Sequence, residues 1–105
     1  MLKSFTYTTG YLNFYKLLMA TVKEFENLEV WQLSIQVTEK IYSLMNSPDL
    51  SKDFVLRNQL WRSIISISSN IVEGFEKNNN KEFRRFLKIA KGSTGEARSQ
   101  VIIMN

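Results

Sequence analysis

Gln59-Leu60-Trp61-Arg62-Ser63-Ile64-Ile65-Ser66-Ile67-Ser68-Ser69-Asn70-Ile71-Val72-Glu73-Gly74 is the stretch whose reading decides the fold. Leu60, Ile64, Ile67 and Ile71 recur at i, i+4, i+7 and i+11, one apolar stripe of an α-helix. Arg62, Ser66, Asn70 and Glu73 recur at i, i+4, i+8 and i+11, a second stripe half a turn away. A solvated face is usually built from Lys and Glu. Ser and Asn are mediocre helix formers, so their clustering implies a face that touches something. One reading is a polar network inside the fold or at a subunit contact, with Arg62 paired to Glu73 or Glu96. Such networks fix register more than they stabilise. The other reading is a ligand site. Trp61 falls off the apolar stripe and is a candidate interface residue.

Working outward, a helix is expected on each side. From Phe25 to about Asn46, the residues Leu28, Trp31, Ile35, Thr38, Tyr42 and Met45 alternate spacings of three and four, as in a bundle seam. Pro48 cannot continue that helix. Ser51 or Asp53 can cap the next one, which runs over about 54–75 with Gly74 as its stop. The loop Glu76-Lys77-Asn78-Asn79-Asn80 follows, and Asn80 can cap a third helix over about 80–105. Its seam reads Phe83, Leu87, Ala90, Thr94, Ala97, Val101 and Met104. Gly92 and Gly95 inside it each cost about 1 kcal/mol against Ala, which predicts another backbone packed close by. Trp31, Tyr42, Phe83 and Phe86 read as core or interface anchors. Short loops make sequential helices antiparallel. The expected fold class is therefore all-α, an antiparallel up-down helical bundle.

At 105 residues the chain is one domain at most, and its one Pro and four Gly suit long helices. It has no Cys and no His. That excludes disulfides and thiolate metal sites, and removes the commonest general base and metal ligand. Glu73 and Glu96 are expected to lean inward but have no His partners, so a di-metal carboxylate bundle is not supported. Ser66 and Ser93 have no base at a readable spacing. No catalytic residue, metal site or cofactor is assigned. No stretch is long and apolar enough to span a membrane.

The net charge of +4 is uneven. Residues 1–53 carry five basic and six acidic side chains, residues 54–105 nine and four. Lys81, Arg84, Arg85, Lys88 and Lys91 form a row on the third helix, and Arg98 extends it. Such a row suits a phosphate backbone and is expected to face outward. It carries no base-reading motif. The alternative is a solvated face that keeps the protein soluble.

Residues 1–23 read as an N-terminal extension. Residues 1–10 are rich in Thr, Tyr and Gly and read as disordered or extended. Residues 11–22 can form a short amphipathic helix through Tyr11, Tyr15, Leu18 and Val22. Met19-Ala20-Thr21-Val22-Lys23 resembles a natural bacterial start, which would make residues 1–18 upstream sequence.

Three sets of residues together carry a family resemblance. In the first helix they are Phe25-Glu26-Asn27-Leu28-Glu29-Val30-Trp31-Gln32 and Ile41-Tyr42-Ser43-Leu44. In the second they are Gln59-Leu60-Trp61-Arg62 and Ser66-Ile67-Ser68-Ser69-Asn70-Ile71-Val72-Glu73-Gly74. In the third they are Lys81-Glu82-Phe83-Arg84-Arg85-Phe86-Leu87-Lys88-Ile89-Ala90-Lys91-Gly92-Ser93 and Glu96. The combination resembles the four-helix-bundle family of 23S rRNA intervening-sequence proteins, itself similar to the accessory variability protein of diversity-generating retroelements. The resemblance covers about residues 24–105. Trp61 stands where the family commonly has Arg, and Ser68 where it commonly has Pro. The family usually continues into a fourth helix. Here the chain is read as truncated, or residues 11–22 or another subunit fill the gap. The resemblance implies a cytoplasmic, non-enzymatic, self-associating protein, pentameric like the retroelement relative. It implies RNA or DNA and a reverse transcriptase as candidate partners, with no membrane. A pure interaction adaptor and a remnant without activity are the competing readings. The family name reports a genomic location, not an activity.

Overall fold

The computed structural model describes residues 25–47 and 52–104. Every regular element among them is helical. A 3-10 turn over Phe25–Asn27 precedes α1 (Glu29–Met45), α2 (Phe54–Glu76) and α3 (Asn80–Met104). The segment 11–22, the loop residues from Pro48 to Ser51, and Asn105 lie outside the described residues.

The helix ends differ from the sequence expectation for local reasons. α1 starts at Glu29 because Leu28 is extended, with φ −74° and ψ 123°. The turn before it closes through Leu28 N–H donating to Phe25 O at 2.9 Å, and Gln32 Nε2 donates to Glu26 O at 2.8 Å. Asp53 caps α2 by accepting from Leu56 N at 3.1 Å. Asn79, not Asn80, caps α3, its Oδ1 accepting from Glu82 N at 3.1 Å. Gly74 does not stop α2. The helix runs on to Glu76, and the chain reverses at Asn78, whose φ of 54° is left-handed. Asn tolerates that region better than most residues.

α2 is the central element. α3 packs along most of it, α1 packs along less of it, and α1 and α3 hardly meet. The core is Leu60, Ile64, Ile67 and Ile71 of α2 with Ala90 and Ala97 of α3. Large side chains on α2 thus meet small ones on α3. Trp31 and Ile41 of α1 pack against this core from the other side. Ser34, Thr38 and Ser63 are buried where α1 meets α2. Each satisfies its hydroxyl on its own helix, through Trp31 O, Ser34 O and Gln59 O respectively.

The seam of α3 is rotated from the one its periodicity predicts. The buried row is Phe86, Ala90, Ser93 and Ala97. Thr94 is exposed, and Leu87 and Phe83 are only half-buried. The reason is the number of neighbours: among the described residues α3 packs mainly on α2, so it turns one row onto that helix and leaves Leu87 and Thr94 outside the contact. Tyr42, predicted in the α1 seam, is also exposed, although its ring lies 5.7 Å from that of Trp61. No helix among the described residues is long and apolar enough to cross a membrane.

The three helical glycines divide into two kinds. A Cβ on Gly74 would stand 2.6 Å from Phe86 Cβ, so this glycine sets how closely α2 approaches α3. Gly92 and Gly95 meet nothing within 4 Å, contrary to the expected close backbone. Opposite signs follow for the same substitution. Gly74→Ala should cost about 1–2 kcal/mol, because Phe86 Cβ is tied to its backbone and cannot swing away. Gly92→Ala and Gly95→Ala should each add up to about 1 kcal/mol through helix propensity. Urea denaturation of the three variants checks both signs.

Candidate nucleic-acid interface

The capped start and the single buried row of α3 fix the orientation of its other side. Phe86, Ala90, Ser93 and Ala97 point at α2, so the opposite side faces solvent. Lys81, Arg84, Arg85, Lys88, Lys91 and Arg98 are all exposed there. Between the first and last, the helix rises about 25 Å. Arg85 is held in place: its Nε donates to Glu82 Oε2 at 2.9 Å, and its guanidinium lies 4.5 Å from the Phe86 ring centroid. The other five have no acidic partner among the described residues. Lys77 adds a cation at the near end, 5.9 Å from the same ring. Gly92 and Gly95 share this outer side and leave the backbone bare between Lys91 and Arg98. Sequence reasoning found the row, but not Lys77 or the bare stretch. Lys77 precedes the left-handed reversal at Asn78 and so lies outside the periodicity of α3, and the glycines read as packing residues.

The polar stripe of α2 divides in two. Ser66 and Asn70 are half-buried and bonded to each other: Asn70 Nδ2 donates to Ser66 Oγ at 2.9 Å and to Ser66 O at 2.7 Å. The network extends to Ser93 of α3, whose hydroxyl lies 2.8 Å from that of Ser66. Arg62, Glu73 and Glu96 lie outside it, exposed to solvent. Glu73 and Glu96 therefore do not lean inward, and neither pairs with Arg62 among the described residues. Trp61 is half-buried, stacked at an angle on Tyr42 and packed against the core from the α1 side. Its edge position on α2 thus serves the α1–α2 contact. Ser66 and Ser93 contact each other, so the pair joins two helices.

The model of the family described as 23S rRNA-intervening sequence protein matches residues 26–105, most of the chain. No curated protein and no solved structure matches it.

The Ser66–Ser93 bond is the one side-chain hydrogen bond between helices of this network, so it can be weighed directly. Ser66→Ala and Ser93→Ala should each cost about 1 kcal/mol. Their double-mutant cycle should show a coupling of about 0.5–1.5 kcal/mol in urea denaturation. Strict additivity would mean that the bond contributes nothing to α2–α3 register.

Proposed function

Because the chain belongs to the 23S rRNA-intervening sequence protein family, we propose that it acts by binding rather than by catalysis, and that it holds RNA or DNA through the outer side of α3. One observation carries this reading: six cations on one exposed side of one helix, five of them without an acidic partner among the described residues. Each lysine or arginine that neutralises a phosphate releases a counterion, which favours binding at low salt. The bare backbone at Gly92 and Gly95 gives a sugar-phosphate chain room to approach between cations. The row offers no planar amide or aromatic platform for bases, so recognition follows charge and shape. The absence of His and Cys fits a binding role in a reducing cytoplasm.

A second reading, self-association, has its own observation. Ser66 opposite Ser93 and Gly74 against Phe86 define the antiparallel register of α2 and α3. That register brings the start of α2 to the end of α3. Phe54 and Val55, each 72% exposed, and Ile102 and Ile103, 64% and 67% exposed, therefore share one end of the molecule. An apolar end of this kind suits contact with further copies or with a protein partner such as a reverse transcriptase.

Binding to a labelled structured RNA should weaken steeply with salt. Changing Arg84, Arg85 and Lys88 together to Ala should weaken it at least about tenfold and flatten the log–log slope by about two units. Failure of the folded wild-type chain to bind at low salt would refute the nucleic-acid reading. Separately, Phe54→Ser with Ile103→Ser should shift sedimentation toward monomer at concentrations where the wild type associates. Unchanged sedimentation would remove the apolar end from any assembly.

A further inference from the structure

Between α1 and α3, among the described residues, the bundle is open. Val30, Leu33 and Val37 of α1 form one wall, Leu87 and Thr94 of α3 the other, and Ile67 with Ile71 of α2 the floor. The groove encloses about 390 Å³ and is lined almost entirely by apolar atoms, with Lys91 at its α3 edge. Val30, Leu33 and Val37 are each roughly half exposed. An apolar trough between two helices has the shape that receives the apolar stripe of a further helix.

The charge along the two rims differs. Arg84, Lys91 and Arg98 follow one another at intervals of seven residues, so they form one near-straight line along α3, about 21 Å long. Lys91 stands one turn beyond Leu87, and Arg98 one turn beyond Thr94, on the groove side of the cationic face. All three are exposed, and among the described residues none has an acidic partner. The α1 rim is close to neutral: Glu29, Gln36 and Ser43 stand beside its apolar row at the same interval. Charges that flank an apolar seam at this interval decide which partner helix is accepted. Three cations on one rim call for carboxylates on the facing edge of the occupant.

We propose that the α1–α3 groove docks an amphipathic helix of another protein, with its apolar stripe on Leu33, Val37 and Leu87. Carboxylates along one edge of that helix, a heptad apart, meet Arg84, Lys91 and Arg98. Charge complementarity selects this occupant over a second copy. The exposed row of α1 reads Val30, Leu33, Val37, Lys40 and Leu44. A second α1 would therefore bring Lys40 into the apolar seam and one carboxylate, Glu29, to three cations. A second α3 would set cation against cation. The apolar walls select a helix over a phosphate chain, which gains nothing from Leu33 or Leu87. The length of the cationic line selects it over a small amphiphile, whose single carboxylate meets one cation. The inference is independent of the nucleic-acid reading, because phosphate contacts need no apolar wall.

The probe is a labelled synthetic peptide of three heptads, with leucines at both seam positions and Glu at one flanking position of each heptad. Its counterpart carries Lys in place of each Glu. Fluorescence anisotropy with the full chain should show the Glu peptide bound at least about tenfold more tightly than the Lys peptide. Lys91→Glu with Arg98→Glu should reverse that preference. Leu33→Asp, at an exposed position, should weaken the Glu peptide at least about tenfold with circular dichroism unchanged. The same change should leave any RNA binding by α3 intact, so the two readings fail separately. The proposal is overturned by no binding of the Glu peptide, by equal binding of the two peptides, or by a preference that the double charge change does not reverse. Binding indifferent to Leu33→Asp also overturns it. A wild-type chain that refuses the peptide, and that Leu33→Asp shifts toward monomer in sedimentation, overturns it too and assigns the groove to a second copy.

Discussion

Everything in this fold depends on how closely α3 can lie against α2. Gly74 removes the one Cβ that would collide with Phe86. Farther along, Ala90, Ser93 and Ala97 present small side chains to Leu60, Ile64, Ile67 and Ile71. Large residues on one helix and small ones on the other let the two backbones approach and still fill the space between them. The Ser66–Ser93 hydrogen bond lies within this contact and supplies direction where dispersion forces supply none. α1 then adds a second, smaller layer on the far side of α2. There the polar groups Ser34, Thr38 and Ser63 are buried at little cost because each bonds its own helix.

The same close contact determines what the surface can do. Turning Phe86 and Ser93 onto α2 sends Lys81, Arg84, Lys88 and Arg98 to the opposite side, where among the described residues no acidic side chain pairs with them. It also turns Leu87 and Thr94 toward the open groove instead of into the core. Three surfaces result, each with its own chemistry: a cationic outer side of α3, an apolar groove between α1 and α3, and an apolar end formed by Phe54, Val55, Ile102 and Ile103.

Much of the candidate interface was legible in the sequence, because a helix converts spacing into direction. Once Ala90 and Ala97 are known to be buried, residues half a turn away must be outside, and the cationic row is among them. The part that stayed illegible depends on which neighbours are present. Gly92 and Gly95 look identical to Gly74 in one dimension, yet only Gly74 faces another helix. Arg62, Glu73 and Glu96 look like members of the Ser66–Asn70 network, yet Arg62 and Glu73 on α2 and Glu96 on α3 are all turned to solvent. The boundary errors at Leu28, Gly74 and Asn80 have a common origin. Caps and reversals are decided by single dihedral angles, such as the left-handed φ of Asn78, to which apolar periodicity is blind.

The sequence by itself determined three antiparallel helices, the α2 stripe that forms their core, the basic row on α3 and the exclusion of His- or Cys-dependent chemistry. These follow from residue type and from the 3.6-residue period, both local properties. Only the tertiary structure decided that α2 is the shared partner, that α3 presents Phe86 and Ser93 instead of Thr94, and that a groove remains between α1 and α3. Those outcomes depend on how many helices compete for each apolar face, and that is a property of the assembled bundle rather than of any one helix.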